Sequence, residues 1–177
     1  VGAALAARII RKFGENTFRI IEEEPKRLAE VKGISERKAK EIADQVVGKQ
    51  EMRQAMIFLQ QYGISQSLGA KIYKAYGQRL YAVLRENPYR LAEDIQGVGF
   101  RMADEIASKI GIRADSDFRI RSGILYALVR SALDGHTCLP AELLGQRAGE
   151  LLGILPEHIE KYYMDLAIEK KIIVKET

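Results

Sequence analysis

The sequence is poor in cysteine and histidine, and this shortage excludes several kinds of site. Cys138 is the only cysteine among 177 residues, so an internal disulfide is impossible and a reducing, cytoplasmic setting is predicted. His136 and His158 are the only histidines. Together with one cysteine they are too few for a zinc site of the usual kind, and no metal or other cofactor is predicted for this chain.

Long apolar runs and nucleotide-binding patterns are also missing. No run approaches the roughly 20 residues that a membrane-spanning helix needs, and no signal peptide is visible, so no membrane partner is predicted. The phosphate-loop pattern G-x-x-x-x-G-K-[ST] does not occur, and no Ser-His-Asp set is evident. The chain as it stands is therefore predicted not to be an enzyme.

The positive charge of the chain is concentrated in its first two thirds. Residues 1–113 contain 20 Lys/Arg against 14 Asp/Glu, whereas residues 114–177 contain 8 against 10. The excess in the first part is modest, and it favours an anionic partner there. Hydrophobic residues make up 47% of the sequence and charged residues 29%, which predicts a folded chain.

A duplication organises this basic part. Residues 8–43 recur as residues 71–107 after a shift of 63 residues, and one inserted residue then aligns Gly33 with Gly97. Matches this dense indicate a duplicated supersecondary unit. Apolar residues at spacings of three and four predict short helices, and strand signals are nearly absent before residue 136.

A smaller element recurs within the duplication. Residues 28–43, 59–73 and 91–107 each contain Gly-apolar-Gly or Gly-apolar-Ser, followed by an alanine and an apolar residue. "VGAALAARII", at residues 1–10, resembles a fourth copy that has lost its leading glycine. A chain that begins inside a motif is expected to be a fragment of a longer protein.

The stretch "IQGVGFRMADEIASKIG" (95–111) shows what such an element can do. Gly97 can take the positive φ that ends a helix, and Val98 would then enter the core between the two helices. Gly99 has no side chain, so a phosphate can approach the N–H groups that open the next helix, at the positive end of its dipole. Ala103 is small, which allows the two helices to cross closely.

The recurring element resembles the helix-hairpin-helix motif of DNA-binding and DNA-repair proteins. A single G-x-G could merely form a turn, but four copies in a basic segment favour nucleic-acid binding. Backbone contacts with phosphates carry no base information, so binding independent of DNA sequence is predicted. The predicted phosphate contacts are Gly97, Val98, Gly99 and Arg101, then Gly33, Ile34, Ser35 and Lys38, then Gly63 and Ser65, and finally Gly2.

The four copies are not equivalent. Ser35 and Ser65 replace the second glycine, and a serine hydroxyl that caps a helix competes with a phosphate for the same N–H groups. These two hairpins are therefore candidates for a structural role. Tyrosines in the repeats could stack on bases, but their helical spacing favours packing. These tyrosines are Tyr62, Tyr73, Tyr76, Tyr81 and Tyr89. Further cations that could contact neighbouring phosphates are Arg37, Lys40, Lys71 and Lys74.

A DNA glycosylase is an alternative function, because some of these enzymes place a hairpin just before a catalytic aspartate. Asp115 and Asp117 follow Gly99 at a suggestive distance. However, Arg101 stands where a Schiff-base lysine would be needed, and arginine cannot form that adduct. Asp115-Ser116-Asp117 is better interpreted as an N-cap cluster for a helix that begins near Phe118.

The last third of the sequence predicts a winged-helix-like module. Helices are expected over residues 118–135, 141–152 and 156–170, with short strands at 136–140 and 171–177. The third helix is acidic and would repel phosphate, so a packing or protein-contact role is predicted. The fold class is therefore expected to be mostly α, with tandem helix-hairpin-helix repeats in residues 1–113 and this module in residues 114–177.

Nearly the whole chain resembles the N-terminal region of long RecD-like (RecD/TraA family) DNA helicases. The similarity includes "FGENTFRIIEEEPKRLAEVKGIS", "ENPYRLAEDIQGVGFRMAD", "RIRSGILYAL" and "GHTCLP". The resemblance implies an accessory region of a 5′ to 3′ helicase that acts in DNA repair or recombination, with an ATP- and Mg-dependent motor after it. Its implied partners are single-stranded or forked DNA and the motor domains. The alternative is an architectural arm that docks on the motor without touching DNA.

Overall fold

The computed structural model describes residues 2–175, and every regular element in that range is helical. Packing divides the chain into two compact units, of which one ends at Gln61 and the other begins at Tyr62. Within residues 2–175, no helix has both the length and the apolar character needed to cross a bilayer. The mostly helical, tandem helix-hairpin-helix part of the predicted fold agrees with this architecture.

The first unit consists of short helices followed by one long helix. Its elements are α1 (Ala3–Phe13), a 3-10 helix (Gly14–Asn16), α2 (Thr17–Glu23), a second 3-10 helix (Pro25–Glu30) and α3 (Glu36–Gln61). Pro25 opens its 3-10 helix, where a missing N–H breaks no hydrogen bond. Residues of α1, α2, the second 3-10 helix, α3 and the turn before α3 share one core, which contains Ile9, Phe13, Ile20, Leu28, Ile34, Ala39 and Ile42.

The second unit begins with a copy of the same helical order. Its first elements are α4 (Gln66–Tyr76), a 3-10 helix (Gly77–Arg79), α5 (Leu80–Glu86), α6 (Arg90–Asp94) and α7 (Phe100–Ile110). Gly77 ends α4 with φ 54° and ψ −134°, and Gly14 ends α1 with φ 55° and ψ −131°. Because the repeated glycines adopt the same backbone conformation, the duplication predicted from the sequence is confirmed in the fold.

Four helices complete the second unit: α8 (Asp117–Leu133), α9 (Ala141–Leu152), α10 (Glu157–Glu160) and α11 (Tyr162–Ile168). Ser116 caps α8, since its hydroxyl accepts a hydrogen bond from the Arg119 N–H at 3.3 Å. The helix α8 packs closely on α9 at Gly123, where an added Cβ would come within 2.6 Å of Leu152 Cδ2. The glycine therefore lets the two helices approach.

The winged-helix prediction is wrong for the described part of the chain. Neither 136–140 nor 171–175 forms a strand, and residues 176 and 177 lie outside the described residues. A strand needs a partner for its backbone groups, and an apolar face that is buried. The side chain of Ile173 is 85% exposed and that of Val174 is 52% exposed, so this apolar run buries no face. The helix predicted over 156–170 is also divided, into α10 and α11.

An ion pair links α8 to the hairpin part of the second unit, and its arginine also contacts the end of α9. Arg119 on α8 donates from Nε to Asp104 Oδ1 on α7 at 2.8 Å, and from Nη1 to the carbonyl of Leu152 at the end of α9 at 2.9 Å. Tyr89 donates to the same carboxylate at 2.7 Å. The functional division predicted between residues 1–113 and 114–177 stays a prediction.

Candidate nucleic-acid interface

Three of the four predicted hairpins have the same turn. Gly33, Gly63 and Gly97 have φ values of +94°, +74° and +92°, in the left-handed region that glycine enters without steric cost. The apolar residue after each glycine is buried, with Ile34, Ile64 and Val98 between 4% and 6% exposed. The predicted conformation of Gly97 and the predicted burial of Val98 are thus confirmed.

The turn at Gly97 leads into a helix whose N-terminus is open. Gly99 is the N-cap of α7 with φ −98° and ψ 172°, and no side chain caps the helix. A Cβ added to Gly99 would meet nothing within 4 Å. Helix geometry leaves the first N–H groups of α7 without intrahelical acceptors, so they can bind a phosphate from outside. Ala103, one turn into α7, is fully buried as expected for a close crossing.

The helices after the turns at Gly33 and Gly63 begin differently. The Ser35 hydroxyl accepts from the Lys38 N–H at 3.2 Å, and the Ser65 hydroxyl accepts from the Leu68 N–H at 3.3 Å. The prediction that both serines are N-caps is confirmed. At each of these helix starts, one N–H that could hold a phosphate already has an acceptor.

Gly2 resembles Gly99 rather than the serines. It is the N-cap of α1 without a side-chain cap, and an added Cβ would meet nothing within 4 Å. The N–H groups of Leu5 and Ala6 both reach its carbonyl, at 3.0 and 3.1 Å. The residue before it, Val1, lies outside the described residues, so the turn of this fourth copy is not described.

Each described turn has a cation beside its glycine, and the cation comes from a different hairpin. Arg8 donates to the Lys32 carbonyl at 3.0 Å, which places its guanidinium next to Gly33. Lys71 Nζ lies 3.9 Å from where a Cβ on Gly97 would stand. Arg8 and Lys71 are one repeat apart in the sequence, so the duplicated units use the same position in the same way.

The third such cation is already neutralised. Lys109 Nζ lies 2.8 Å from where a Cβ on Gly63 would stand, and it donates to Glu105 Oε1, also at 2.8 Å. This hydrogen bond, followed by the charge of Lys109, lowers the pKa of the Glu105 carboxyl. Sequence reasoning missed Arg8 and Lys109, although the 63-residue repeat that aligns Arg8 with Lys71 was a usable signal.

The other predicted cations have differing surroundings. Arg37 and Lys38 both contact the Glu41 carboxylate, at 3.5 and 3.8 Å, so this acid partly neutralises them. Arg101 is exposed on the first turn of α7 and has no ion pair within residues 2–175. Arg101 and Lys71 are therefore the cations whose charge remains available near the open hairpin.

Two of the predicted tyrosines, Tyr76 and Tyr89, pack or form hydrogen bonds within the second unit. Tyr89 is 2% exposed and stacks on Phe100, with ring centroids 5.8 Å apart. Tyr76 donates to Asp94 Oδ2 at 2.7 Å, and burial followed by this hydrogen bond raises the pKa of the Tyr76 hydroxyl. The packing interpretation is confirmed for these two side chains.

The acidic cluster after α7 has a structural arrangement. Arg113 forms two hydrogen bonds with the Asp115 carboxylate, at 2.9 and 2.7 Å, and Tyr162 donates to Asp117. Since Ser116 caps α8, the N-cap interpretation of this cluster is confirmed. Across residues 2–175, no group of three or more His, Cys, Asp or Glu side chains is arranged to hold a metal ion.

Comparison with known proteins gives helix-hairpin-helix matches to two successive segments of the chain. Residues 48–138 match the family described as "ATP-dependent RecD2 DNA helicase HHH domain", and residues 1–46 match "SAM-like Helix-hairpin-helix tandem". The chain is 28% identical over 141 residues to the ATP-dependent RecD2 DNA helicase of Deinococcus radiodurans. That alignment covers 79% of this chain and 20% of the relative, so the chain spans about a fifth of the relative's length.

Proposed function

Because this chain belongs to the family of helix-hairpin-helix domains of RecD2 DNA helicases, we propose that it binds DNA independently of sequence through its hairpins. It would act as the N-terminal accessory region of a helicase that moves 5′ to 3′. ATP and Mg²⁺ would be used by the motor of the longer protein, and this chain would use neither. Roles in repair and recombination and a cytoplasmic location stay predictions.

The hairpin at Gly97–Gly99 is the observation that carries this proposal. Its helix N-terminus is uncapped and unobstructed, and Lys71 and Arg101 stand near it without an acidic partner among residues 2–175. Backbone N–H groups and two cations can hold DNA phosphates without reading any base. Gly2 offers a second open N-terminus, in the first unit.

The proposal is tested by titrating the whole chain against labelled single-stranded, duplex and forked DNA at several salt concentrations. A dissociation constant on the order of 10⁻⁴ to 10⁻⁶ M at physiological salt is expected, weakening as salt rises because phosphate contacts release counterions. Gly99→Glu should place a negative side chain where the phosphate would lie. It should flatten the slope of log K against log salt by about 1–2 units, which corresponds to roughly 10- to 100-fold weaker binding at 0.1 M salt.

A matched control is provided by Ser35→Glu. Its hairpin has the same turn, but the Ser35 hydroxyl already occupies one N–H, so the loss of affinity should be smaller. Gly99→Glu places an acid at a helix N-terminus, which the helix dipole tolerates, so its melting temperature should not fall. Ser35→Glu also removes a capping hydroxyl and should cost about 1 kcal/mol of stability, so its DNA affinity is measured at a temperature at which the variant is folded. If Gly99→Glu leaves DNA affinity unchanged while the chain stays folded, the hairpin is only a turn.

The second candidate function is an architectural arm that docks on the motor without contacting DNA. The observation that favours it is the capping of two helix starts by Ser35 and Ser65, which are arranged for stability rather than for a ligand. This candidate predicts no binding of the chain to any of the three DNA forms at low salt. Binding that depends on Gly99 would exclude it.

A further inference from the structure

Phe18 is the most exposed aromatic side chain of the chain. It lies near the start of α2 and is 66% exposed, whereas Phe118, the next most exposed, is 46% exposed. The remaining phenylalanines and all eight tyrosines are at least partly buried. An aromatic ring that is left in water has hydrophobic surface available for a ligand.

A concave surface surrounds the Phe18 ring. It is formed with one face of α3, from Val46 through Gln54, and Val46 also packs against the core of the first unit. Side chains one helical turn apart line it in two pairs, Lys49 with Arg53 and Gln50 with Gln54. The floor is thus apolar, and the rim combines positive charge with side-chain amides. We call these six residues, with Phe18 and Val46 included, the Phe18 surface.

The two cations of the Phe18 surface lack acidic partners within residues 2–175, unlike several other cations of the first unit. Lys12 and Arg27 contact Glu30, whereas no carboxylate of residues 2–175 lies within 4.0 Å of Lys49 or Arg53. Two unpaired positive charges beside an apolar floor complement a ligand that is anionic on one side and flat and apolar on another. Amide groups at the rim can donate to and accept from polar edges.

The duplication provides an internal comparison. Phe18 corresponds to Tyr81 in the second repeat, and Tyr81 is half-buried. The packing of the repeated helices therefore does not by itself require an exposed ring at this position. The exposure belongs to the first unit alone, where the cation-bearing second half of α3 lies beside the ring.

We propose that the Phe18 surface binds single-stranded DNA, with a base stacked on the Phe18 ring and neighbouring phosphates held by Lys49 and Arg53. Stacking on aromatic rings within a basic groove is how proteins bind single strands without sequence preference. A duplex presents its phosphates but not the faces of its bases, so this surface discriminates in favour of single strands. The proposal shares DNA as ligand with the proposed function but does not depend on the hairpin contacts.

The sequence contains no tryptophan, so Phe18→Trp places the only indole of the chain in the proposed site. A stacked base quenches indole fluorescence on contact. The expected result is quenching by oligothymidine and none by an abasic oligonucleotide of the same length, which has the same phosphates without bases. Phe118→Trp provides the matched control, because it places an indole at an exposed position of the other unit, and its fluorescence should not change.

Affinity measurements test the same site without a reporter. Phe18→Ala should weaken binding of oligothymidine by about fivefold or more while leaving duplex affinity unchanged, since stacking contributes about 1 kcal/mol or more per base. Phe18→Leu keeps the apolar character without the aromatic face and should bind as weakly as Phe18→Ala. Lys49→Gln and Arg53→Gln should each flatten the salt dependence for single strands by about 0.7 units.

The outcomes separate this proposal from the hairpin function. In the Gly99→Glu background, duplex affinity should fall, but quenching at position 18 by oligothymidine should persist. Equal quenching by the abasic strand, equal quenching at position 118, or no quenching at position 18 would each overturn the proposal. The proposal would also be overturned if an acidic peptide, but not oligothymidine, quenched the indole at position 18. That result would assign the Phe18 surface to a protein partner.

Discussion

The turn at Gly63–Ser65 and the turn at Gly97–Gly99 lie in the same unit and have the same backbone path, but the helices after them begin differently. Both glycines that open the turns have positive φ, and both N-cap residues, Ser65 and Gly99, have extended backbones. At Ser65 the hydroxyl accepts from the Leu68 N–H, whereas at Gly99 no side chain caps the helix.

The lysines beside the two turns also differ, because within residues 2–175 one is paired with an acid and the other is not. Lys109, beside Gly63, is paired with Glu105, whereas Lys71, beside Gly97, has no acidic partner in the described part of the chain. One hairpin thus satisfies its own polar groups and the other leaves them available. The comparison indicates that the turn itself is a folding element, and that the cap and the nearby charge decide whether it can also bind a ligand.

The largest effect is expected where the two turns are alike. Gly97→Ala and Gly63→Ala should each lower the free energy of unfolding by about 1–2 kcal/mol, because alanine is strained at positive φ. For a chain of this size, each kcal/mol lowers the melting temperature by about 2–4 °C. Gly48→Ala is the control, since Gly48 lies within α3 with nothing within 4 Å of an added Cβ. It should stabilise the chain by up to about 1 kcal/mol. Equal stability of all three variants would contradict the shared turn geometry.

The next largest effect is a change in DNA affinity when the lysine beside each turn is neutralised, and it should differ between the two turns. Lys71→Gln should flatten the salt dependence of duplex binding by about 0.9 units and weaken binding by about eightfold at 0.1 M salt, as expected for one lost phosphate contact. Lys109→Gln should do less, because Glu105 already neutralises that lysine at 2.8 Å. Anisotropy titrations over a salt series measure both. A larger effect at Lys109 than at Lys71 would reverse the assignment of the open hairpin.

A smaller effect should follow from removing the Ser65 cap of α4, while the hairpin at Gly97–Gly99 is left unchanged. Ser65→Ala should lower the free energy of unfolding by about 1 kcal/mol, the usual value for a lost N-cap hydrogen bond, as measured by urea unfolding. DNA affinity should not decrease, since the proposed phosphate site is at the other hairpin. If affinity falls together with stability, the hairpin at Gly63–Ser65 participates in binding and the comparison fails.

Much of the fold could be predicted because its signals are local. Positive-φ glycines, buried residues between them and serine caps each depend on a few neighbouring residues, and the repeat supplied independent copies of the same pattern. The strand predictions for 136–140 and 171–177 were wrong for the described residues, since a strand depends on a partner elsewhere in the chain. Short apolar runs such as "KIIV" resemble strands even where no other segment of residues 2–175 pairs with them.

The candidate site was predicted in part for the same reason. Gly99 and its neighbours follow from local pattern, but the positions of Lys71 and Lys109 depend on how two hairpins pack against each other. The interpretation of Lys71 as a flanking residue of its own hairpin missed that it lies beside the turn of the other. The exposure of Phe18 could not be read from its helical spacing either, since the same position in the second repeat is half-buried.

The smallest effects, and the sharpest test of the comparison, are expected from exchanging the two N-cap residues. Gly99 has an extended backbone and open space around a Cβ, so Gly99→Ser should be accommodated and its hydroxyl should cap the Met102 N–H. Stability should rise by only a few tenths of a kcal/mol, since glycine is itself a fair N-cap. DNA affinity should fall by about threefold, because one N–H available to a phosphate is now occupied.

Ser65→Gly is the reciprocal change. It should cost a few tenths of a kcal/mol in stability and release the Leu68 N–H. If capping alone closes that hairpin, Ser65→Gly should strengthen DNA binding by a similar factor, and the double variant should return to the affinity of the unchanged chain. If Ser65→Gly gives no gain in DNA affinity while Gly99→Ser gives a loss, the Lys109–Glu105 ion pair prevents the Gly63–Ser65 hairpin from binding a phosphate. In that case Glu105→Gln, added to Ser65→Gly, should strengthen DNA binding. If neither exchange changes affinity, occupancy of the N–H groups does not decide which hairpin binds DNA.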